Sequence, residues 1–413
     1  MRILIVAQRY HPFVGGVETQ TRLFANELAK RHSVRVAAAN FEVPKVPPRL
    51  DVLAENMLVP QYESYVDGDV PVVALAPSIG QRLTMLPIAA RAIPILRRYR
   101  YQQLLAFGFR WYRMAWLNQL RRMAREVDVI HSVAGGYLGW TALEAARAEG
   151  KAFACTPYVH PGQHGADAAN VAYYKNSDAV FALLETDKKL LVDLGVDASS
   201  VHLSGVVPLL PETSDPLSFR ERHGLGDAPV VLYVGRMVEY KGYDVVLKAA
   251  RRIWADFPDV HFVFVGPGGD PDASEFQDEK GRIHFLGKVS EQEKADALAA
   301  CTIFSMPSRF EILPAVYLEA WSYGKPVVGG TANGLKELVE GNGAGRISTQ
   351  EPEELTAILK GMLANPEEAA EMGRRGRQLV EERYTTAAVV RSIESVFEGI
   401  VQNAEQEVHQ TVN

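Results

Sequence analysis

The sequence predicts an α/β protein built of two doubly wound parallel sheets, and three observations support this prediction. Short apolar runs alternate with helical stretches along the whole chain, which is the pattern of parallel strands connected by helices. The 413 residues are enough for two domains of roughly 150 to 200 residues each. A stretch at 207–216, rich in proline and turn-forming residues, separates the two halves.

Composition and charge restrict the class of protein. Hydrophobic residues make up 47% and charged residues 23% of the chain, as in globular proteins rather than disordered or fibrous ones. The 44 Lys and Arg residues against 50 Asp and Glu residues give a net charge of -6, which argues against a nucleic-acid partner. Cys155 and Cys301 lie far apart, so we expect neither a disulfide framework nor a structural zinc site. This cysteine usage fits a cytoplasmic protein.

The first half of the chain predicts the first doubly wound unit. Its apolar start is only a few residues long, which predicts a buried strand rather than a signal-peptide core. No apolar stretch approaches the roughly 20 residues that a membrane span needs. Strands are predicted at 3–7, 34–38, 70–75, 127–131, 152–156 and 179–183, and amphipathic helices at 17–30 and 138–148.

The second half predicts a second unit with cleaner strands. Strands are expected at 230–234, 261–265, 283–286, 303–306 and 326–328, each followed by a helical segment. The predicted domains are therefore 1–208 and 209–383, and the polar tail at 402–413 is expected to be frayed.

The window 71–125 has an unusual composition. It contains ten arginines and no aspartate or glutamate, and aromatic residues such as Phe107, Trp111 and Trp116 lie between the arginines. A basic, aromatic helix is typical of a segment that lies on an anionic membrane surface. The alternative is an arginine surface that faces solvent or an acceptor above a buried aromatic face. The sequence leaves both interpretations open.

Two pairs of residues are candidates for binding phosphate groups. Gly15 and Gly16 follow the first strand and open a helix, where backbone amides can approach an anion. The pattern is not G-x-G-x-x-G, so a dinucleotide-binding dehydrogenase is not supported. Arg236 and Lys241 leave the carboxyl end of a strand, where doubly wound sheets bind ligands, and two cations suit a diphosphate. The alternatives are a plain tight turn and ordinary surface charge.

The segment 305–328 carries the most informative pattern. A strand ends at its start, Pro314 suits the first helical position, and Gly324 suits the end of that helix. Glu311 is then expected in the loop at the carboxyl end of the strand. Glu319 lies one turn into an otherwise apolar helix, where a carboxylate needs hydrogen-bond donors. A sugar diol would supply them, and the alternative is a buried acid paired with an arginine.

These motifs resemble those of glycosyltransferase family 4, whose members are retaining, use nucleotide-sugar donors and have the GT-B fold. The resemblance covers nearly the whole chain. It implies an α/β fold of two Rossmann-like doubly wound domains that face each other across a cleft, with a helix at 384–405 that completes the first domain. The motifs that carry it are Glu311-x7-Glu319 with Gly324-Lys325-Pro326-Val327, Gly235-Arg236 with Lys241-Gly242, and Gly15-Gly16-Val17-Glu18.

The resemblance also implies roles for individual residues. Arg236 and Lys241 would hold the donor diphosphate, and Glu319 would bind the ribose diol. Glu311 would contact the hydroxyls of the transferred sugar, and His160 would lie near that sugar. The implied catalytic residues are His160, Arg236, Lys241 and Glu311, and the implied donor-binding residues are Gly15, Gly16, Arg236, Lys241, Val289, Glu311, Ile312, Leu313, Pro314, Ala315 and Glu319.

The chain departs from the family pattern at a few positions. Ile312-Leu313-Pro314 stands where Gly-Phe-Gly is usual, so the backbone contacts of this loop to the donor are expected to differ. The backbone at Val289 is implied to meet the base. Asn333 replaces the first glycine of a Gly-Gly-x-x-Glu turn.

One short motif suggests a metal site. Asp67-Gly68-Asp69 matches the Asp-x-Asp motif that binds Mn²⁺ or Mg²⁺ in the other large glycosyltransferase fold. Because it lies in a turn-rich segment, we expect a solvated turn instead. Arg236 and Lys241 can neutralise a leaving diphosphate, so we expect neither a metal nor another cofactor.

The sequence therefore predicts a retaining transfer of a hexosyl unit from a UDP- or GDP-sugar to a hydroxyl of a glycan or lipid-linked acceptor, in polysaccharide, glycolipid or cell-envelope biosynthesis. The alternatives are a nucleotide-sugar epimerase, a phosphorylase of the same architecture, and a non-catalytic donor-binding partner subunit. The expected location is the cytoplasm, with peripheral contact to the inner face of the cell membrane where 71–125 binds anionic lipid.

Overall fold

The structure, a computed structural model of the chain, describes residues 1–13, 15–39, 63–88, 93–133, 135–159, 165–269, 276–278 and 280–412, without the side chains of 94–102 and 407–412. The chain divides into two compact units. Unit 1 consists of Met1–Ser204 and Val390–Asn413, and unit 2 of Gly205–Val389. The sequence places the corresponding boundaries at 208–209 and 383–384.

Unit 1 is built around a sheet of eight described strands in the order β3-β4-β2-β1-β5-β6-β7-β8. All neighbours are parallel except β3 and β4, which form an antiparallel hairpin. Ile5 in the central strand pairs with Val36 on one side and His131 on the other. The strands are β1 (Arg2–Ala7), β2 (Ser33–Ala38), β3 (Tyr65–Asp67), β4 (Val70–Ala74), β5 (Val129–Val133), β6 (Ala152–Thr156), β7 (Ala179–Ala182) and β8 (Val201–Leu203).

Six described helices connect these strands. They are α1 (Gly16–Ala29), α2 (Ile79–Met85), α3 (Pro94–Arg125), α4 (Gly136–Ala148), α5 (Ala168–Lys175) and α6 (Glu185–Asp193). The 32 residues of α3 lie in the arginine-rich window.

Unit 2 contains a fully parallel sheet of six described strands in the order β11-β10-β9-β12-β13-β14. Its central strands are nearly continuous apolar runs, rich in β-branched and aromatic residues, because helices cover both faces of a parallel sheet. The strands are β9 (Val230–Val234), β10 (His261–Val265), β11 (Ile283–Gly287), β12 (Ile303–Met306), β13 (Val327–Gly329) and β14 (Gly345–Ile347).

The helices of unit 2 bury one apolar face each. In α8, for example, Val246, Ala250 and Ile253 recur at helical spacing, and all three are fully buried. The helices are α7 (Pro216–Arg222), α8 (Tyr243–Ile253), α9 (Glu291–Ala300), α10 (Ala315–Ser322), α11 (Leu335–Val339), α12 (Pro352–Ala364) and α13 (Pro366–Arg383).

The last helix, α14 (Thr386–Val412), returns to unit 1 from residue 390 onward. Phe397 lies edge-on against His131 and Phe181, with ring centroids 5.5 and 6.0 Å away. The Glu394 carboxylate accepts hydrogen bonds from Arg31 at 2.6 Å and contacts His32 at 3.0 Å. The prediction of a frayed tail at 402–413 is wrong, because the helix continues to Val412.

Several other element predictions need correction. The strand expected at 127–131 lies two residues later, at Val129–Val133. The three-residue strands β3, β8 and β14 were not predicted, since such short segments show little alternation. In the described part of the segment between β10 and β11, no α-helix occurs, although the sequence predicts one there. Among the described helices, none is long and apolar enough to cross a membrane.

Candidate functional site

The loops of unit 2 that carry the predicted site leave the sheet at neighbouring strand ends. β9 and β12 are adjacent and parallel. The strands that follow them in sequence lie on opposite sides of this pair: β10 lies beside β9, and β13 lies beside β12. Residues from Gly235 onward follow β9, and residues from Pro307 onward follow β12. In open α/β sheets, ligands bind at the carboxyl ends of strands at such a switch point. The topology thus places both loops where a ligand is expected.

Two of the predicted residues contact each other directly. Lys241 Nζ lies 2.6 Å from Glu311 Oε1, and their side chains are only 17% and 15% exposed. The neighbouring Arg236 is exposed and donates a hydrogen bond from Nη2 to the Tyr240 hydroxyl at 2.7 Å. Tyr240, the residue before Lys241 in the chain, therefore orients the Arg236 guanidinium. This cluster offers two cations and one carboxylate at the strand ends.

Hydrogen bonds between the two loops hold this cluster in place. Gln350 Nε2 donates to the backbone oxygens of Tyr240 and Pro307, both at 2.8 Å. The backbone amide of Arg309 donates to the same Tyr240 oxygen at 2.9 Å. Gly242 has a φ of +78°, and a Cβ there would lie 2.9 Å from the Pro307 oxygen, so only glycine fits. The site is thus built on a cross-linked pair of loops.

Glu319 on α10 is buried and ion-paired. Lys294 Nζ on α9 lies 3.0 Å from Oε1 and 2.9 Å from Oε2 of Glu319, and the Leu209 amide donates to Oε1 at 3.3 Å. Of the two interpretations of Glu319, the buried acid paired with an arginine names the wrong partner. The cation that pairs with Glu319 is a lysine. Burial raises the pKa of Glu319, and the Lys294 ammonium opposes that rise.

The loop between Glu311 and α10 differs slightly from the prediction. Ile312 and Leu313 are buried, at 9% and 7% exposure, and Ala315 begins the helix. Pro314 precedes the helix in an extended conformation and does not occupy its first position. Gly324 ends the helical segment with a φ of +67°, as predicted.

Val289 lies in the short loop between β11 and α9 and is half-buried. The next residue, Ser290, caps α9 by accepting a hydrogen bond from the Glu293 amide at 3.1 Å. The helix that follows carries Lys294, the partner of Glu319. Helix α9 therefore links Val289, the predicted base contact, to Glu319, the predicted ribose contact.

Gly15 and Gly16 begin α1 of unit 1, as predicted. Gly15 caps the helix with an extended backbone, and its oxygen accepts the first helical bond from Thr19 at 2.9 Å. Gly16 faces open space, since a Cβ there would meet no atom within 4 Å. The Glu18 carboxylate folds over Gly15, where a Cβ would lie 2.2 Å from it. The helix start is therefore accessible at Gly16.

His160 lies outside the described residues. The described segment before it contains Tyr158, a non-glycine residue with a φ of +46°. Left-handed backbone of this kind is rare for a bulky residue and clusters at functional sites.

The Asp67-Gly68-Asp69 turn is not simply solvated, as the sequence suggested. Asp67 is buried and accepts hydrogen bonds from Arg22 at 2.7 Å, from the Tyr10 hydroxyl at 3.1 Å and from Asn26 at 3.4 Å. The arginine therefore ties the β3–β4 hairpin to α1, a structural role that the spacing alone did not indicate.

The arginine-rich helix α3 has a buried aromatic side and a polar side. Tyr112 and Trp116 are buried in the unit 1 core. Glu144 on α4 pairs with Arg113, and Glu149, directly after α4, pairs with Arg121 and Arg125, so several arginines are neutralised locally. Arg125 and Arg121 hold the pKa of Glu149 at about 2. The aromatic face of the window is thus largely internal.

An apolar surface nevertheless remains on α2 and α3, and we call it the α2–α3 surface. Ile79 and Leu83 on α2 are 79% and 61% exposed, and Phe107 and Met114 on α3 are 45% and 56% exposed. Gln81 connects the helices by donating to the Ala115 oxygen at 2.8 Å. The exposed, basic Arg110 lies between Phe107 and Met114 on the helix.

Sequence reasoning missed three residues that shape the site: Tyr240, Lys294 and Gln350. Tyr240 lies inside the Arg236–Lys241 motif and could have been proposed from its position. Lys294 and Gln350 had no such signal, because they reach the site only through packing of separate elements.

Two family models match the chain. The model described as "Glycosyl transferase 4-like domain" matches residues 15–206, which include most of unit 1. The model described as "Glycosyl transferases group 1" matches residues 217–379, which lie within unit 2. Together they cover most of the sequence.

Two of the curated relatives of this chain are mannosyltransferases. The chain is 25% identical over 91% of its length to the GDP-mannose-dependent alpha-(1-6)-phosphatidylinositol monomannoside mannosyltransferase of Mycolicibacterium smegmatis, of which it covers 92%. It is 32% identical over 45% of its length to the GDP-mannose-dependent monoacylated alpha-(1-6)-phosphatidylinositol monomannoside mannosyltransferase of Corynebacterium glutamicum. The alignment spans about half of that second relative, 51% of its length.

Solved structures share the fold. HepE of Anabaena in complex with UDP has a TM-score of 0.68 at 19% identity, with 97% of this chain and 100% of that chain covered. A sucrose-phosphate synthase from Thermosynechococcus elongatus has a TM-score of 0.69 at 17% identity, with 98% and 100% covered. These likenesses confirm the predicted pair of Rossmann-like domains.

Proposed function

We propose a reaction for this chain, which belongs to glycosyltransferase family 4 and has the GT-B fold of two Rossmann-like domains. The reaction is a retaining transfer of a hexosyl unit from a nucleoside-diphosphate sugar to a hydroxyl of a lipid-linked or glycan acceptor. The observation that carries the proposal is the cluster of Arg236, Lys241 and Glu311 at the switch point between β9 and β12.

The chemistry follows from where charge develops. When the bond between the sugar C1 and the diphosphate oxygen breaks, negative charge grows on the leaving diphosphate. Arg236 and Lys241 would stabilise this charge, because preorganised cations favour the transition state over the bound donor. We propose that they do so without a metal, and that the acceptor oxygen attacks on the face that the diphosphate leaves. Activity that persists in EDTA would support this part of the proposal.

The relatives favour one donor among the candidates. Both mannosyltransferases named above are described as GDP-mannose-dependent, and the first aligns with nearly this whole chain. We therefore propose GDP-mannose as the donor and a mannosyl unit as the transferred group, and we keep UDP-sugars as the alternative.

Thermal stabilisation by nucleotides tests the donor site. GDP, UDP, ADP and their sugar conjugates are added to the purified protein, since a ligand at 100 times its Kd raises stability by about 2.7 kcal/mol. We expect a shift with GDP and GDP-mannose that Arg236→Ala abolishes. Arg252→Ala, which removes an exposed arginine on α8, serves as the control and should leave the shift unchanged. The absence of any shift with every diphosphate would contradict the proposal.

Product analysis tests the reaction itself. Incubation with GDP-mannose and a phosphatidylinositol mannoside acceptor should give a mannosylated lipid whose new anomeric linkage keeps the donor configuration by NMR. Conversion of the donor without acceptor would indicate an epimerase instead. Donor binding without any turnover would indicate the non-catalytic alternative.

We also propose that the α2–α3 surface contacts an anionic membrane that carries the acceptor. Ile79, Leu83, Phe107 and Met114 supply apolar side chains, and exposed arginines such as Arg110 supply the positive charge. Apolar side chains flanked by arginine are the composition of interfacial helices. This proposal retains one of the two interpretations of the arginine-rich window.

Liposome flotation at low salt tests this contact. The protein should float with vesicles that contain phosphatidylglycerol and remain below with neutral phosphatidylcholine vesicles. Ile79→Ser with Leu83→Ser should reduce binding about tenfold or more, because two exposed aliphatic side chains no longer insert. Leu217→Ser removes a residue of unit 2 that is 78% exposed and should have no effect. Equal flotation of all three proteins would argue against this surface.

A further inference from the structure

We infer that Lys294 is a positioning residue that holds the Glu319 carboxylate ready for the two hydroxyls of a ribose, and thereby lets the site distinguish ribonucleotides from deoxyribonucleotides. The inference rests on the proposed function, because it takes Glu319 as the ribose contact. Lys294 lies outside the family motifs described above, and it acts through Glu319.

The geometry joins the two residues closely. Lys294 Nζ contacts both oxygens of Glu319, at 3.0 and 2.9 Å, and the two side chains are only 15% and 5% exposed. A surface ion pair between a lysine and a glutamate does not show such burial. The pair therefore lies in a region where each charge depends on the other.

A second carboxylate gives the lysine an alternative partner. Glu291, one turn earlier on α9, lies 2.7 Å from Lys294 Nζ and is 60% exposed. An ionised carboxylate accepts about four hydrogen bonds, and Lys294 and the Leu209 amide already make three polar contacts with the oxygens of Glu319. A shift of the ammonium toward Glu291 would free a lone pair, so that Glu319 could accept from both ribose hydroxyls.

Without the lysine, Glu319 would accept fewer hydrogen bonds from the ribose. An ionised carboxylate is an acceptor only, whereas the protonated group uses one oxygen to donate. Burial favours the protonated form of Glu319 and raises its pKa, and Lys294 opposes the rise. Lys294 thus keeps Glu319 in the form that can accept from a diol.

The other groups around Glu319 do not replace the lysine. Within the described part of unit 2, the titratable groups with the largest effects on Glu319 are Lys294 and Glu291 on α9, and Tyr323, directly after α10, also interacts with it. From the other side, α13 meets α10 through Gly373 and Gly376, which carry no charge. Among these groups, Lys294 is the cation.

Calorimetry with matched nucleotides tests the inference. Binding of GDP, 2′-deoxy-GDP, UDP and 2′-deoxy-UDP is measured at pH 6.5 and 9.0. The wild-type protein should prefer the ribonucleotide roughly tenfold or more at both pH values, because a hydrogen bond to a charged group is lost with the hydroxyl. Lys294→Met should show a weaker preference at pH 6.5 than at pH 9.0, because burial raises the pKa of Glu319 and the higher pH favours its ionised form. Lys294→Arg should retain the wild-type preference.

Two further variants separate this role from a purely structural one. Lys248→Met removes a lysine on α8 that is 57% exposed and should leave the preference unchanged. Lys294→Met combined with Glu319→Gln leaves no lone buried charge, so it should fold. Its ribonucleotide preference should be weaker than that of the wild type and equal at the two pH values, because the glutamine does not titrate.

The outcomes are distinguishable. A full ribonucleotide preference in either Lys294→Met or the double variant at pH 6.5 would overturn the inference. A wild-type protein that binds GDP and 2′-deoxy-GDP equally would overturn it while leaving the donor site in place. A wild-type protein that binds no nucleotide would overturn the proposed function together with the inference.

Discussion

Lys241 and Glu311 neutralise each other at a distance of 2.6 Å. A diphosphate that binds at Lys241 must compete with the Glu311 carboxylate for the ammonium. A sugar that binds at Glu311 would in turn draw the carboxylate away from the lysine. In the proposed reaction, the ion pair thus preorganises both groups and exchanges its internal contact for contacts with the donor.

A substitution of Glu311 should separate diphosphate binding from turnover. In Glu311→Gln, the ammonium of Lys241 is free for the diphosphate, so the Kd for GDP should stay equal or fall. Transfer should drop by roughly 10²-fold, since the transition state loses a charged contact. Calorimetry and initial rates measure the two effects. Glu239→Gln, on the loop that carries Lys241 and with a side chain that is 84% exposed, is the control. A Glu311→Gln enzyme with normal kcat would refute the assigned role.

His131 predicts a loss of stability in acid. Burial lowers its pKa to about 4, and the imidazole is hydrogen-bonded to Thr156 Oγ1 at 2.8 Å. The unfolded chain, with a histidine pKa of about 6.5, takes up the proton first as the pH falls. The stability contributed by neutral His131 is therefore complete above pH 6.5 and is lost by about pH 4, a change of about 3 kcal/mol.

This prediction is checked with His131→Gln. Amide hydrogen exchange in β5 of unit 1, measured at pH 7.5, 6 and 5, gives the local stability of both proteins. The wild type should lose protection faster than the variant as the pH falls. Identical pH dependence in the two proteins would show that His131 does not set the acid sensitivity.

At the scale of elements, α13 approaches α10 through two glycines. A Cβ at Gly373 would lie 1.9 Å from the Gly324 oxygen, and a Cβ at Gly376 would lie 2.1 Å from Trp321 Cδ1. Trp321 is fully buried and its indole donates to the Ala344 oxygen at 2.9 Å, so it cannot move aside easily. This close packing fixes the helix that carries Glu319.

Gly376→Ala should therefore destabilise unit 2 by about 1–3 kcal/mol, as overpacked cores do. The matched control is Gly361→Ala on α12, where a Cβ meets no atom within 4 Å. That change should stabilise by up to about 1 kcal/mol, because alanine is the better helix former. Urea unfolding followed by tryptophan fluorescence measures both. Equal effects of the two substitutions would contradict the packing argument.

At the scale of the whole molecule, the chain returns to unit 1 after completing unit 2. Phe397 on α14 is fully buried against His131 and Phe181. Glu394 adds an ion pair with Arg31 and a hydrogen-bond contact with His32. The stability of the amino-terminal unit thus depends on residues at the other end of the sequence.

Phe397→Ala should weaken unit 1 by about 3–5 kcal/mol, since it removes a large buried ring. Hydrogen exchange should then accelerate in β5 and β7 but not in β9 and β10 of unit 2. Glu398→Ala, an exposed position on the same helix, is the control and should change neither unit. Faster exchange in unit 2 alone would contradict the assignment of α14 to unit 1.

The sequence by itself determined the α/β class, the longer strands and the loops that carry the candidate site. These features depend on local patterns: apolar runs of about five residues, turn-forming residues after them, and charged residues at fixed short spacing. Arg236, Lys241 and Glu311 could be assigned to one edge of a sheet because the carboxyl ends of parallel strands share that edge. The family resemblance then assigned their roles.

Only the tertiary structure decided which partners these residues have. Lys294 and Glu319 are 25 residues apart in sequence, and their ion pair joins two helices. Gln350, which follows β14, donates to the loop that carries Arg236 and Lys241. No local pattern marks such residues, because the rotation and spacing of packed elements determine which side chains meet. The same holds for α14, whose helical periodicity is local but whose place in unit 1 depends on the core that Phe397 fills.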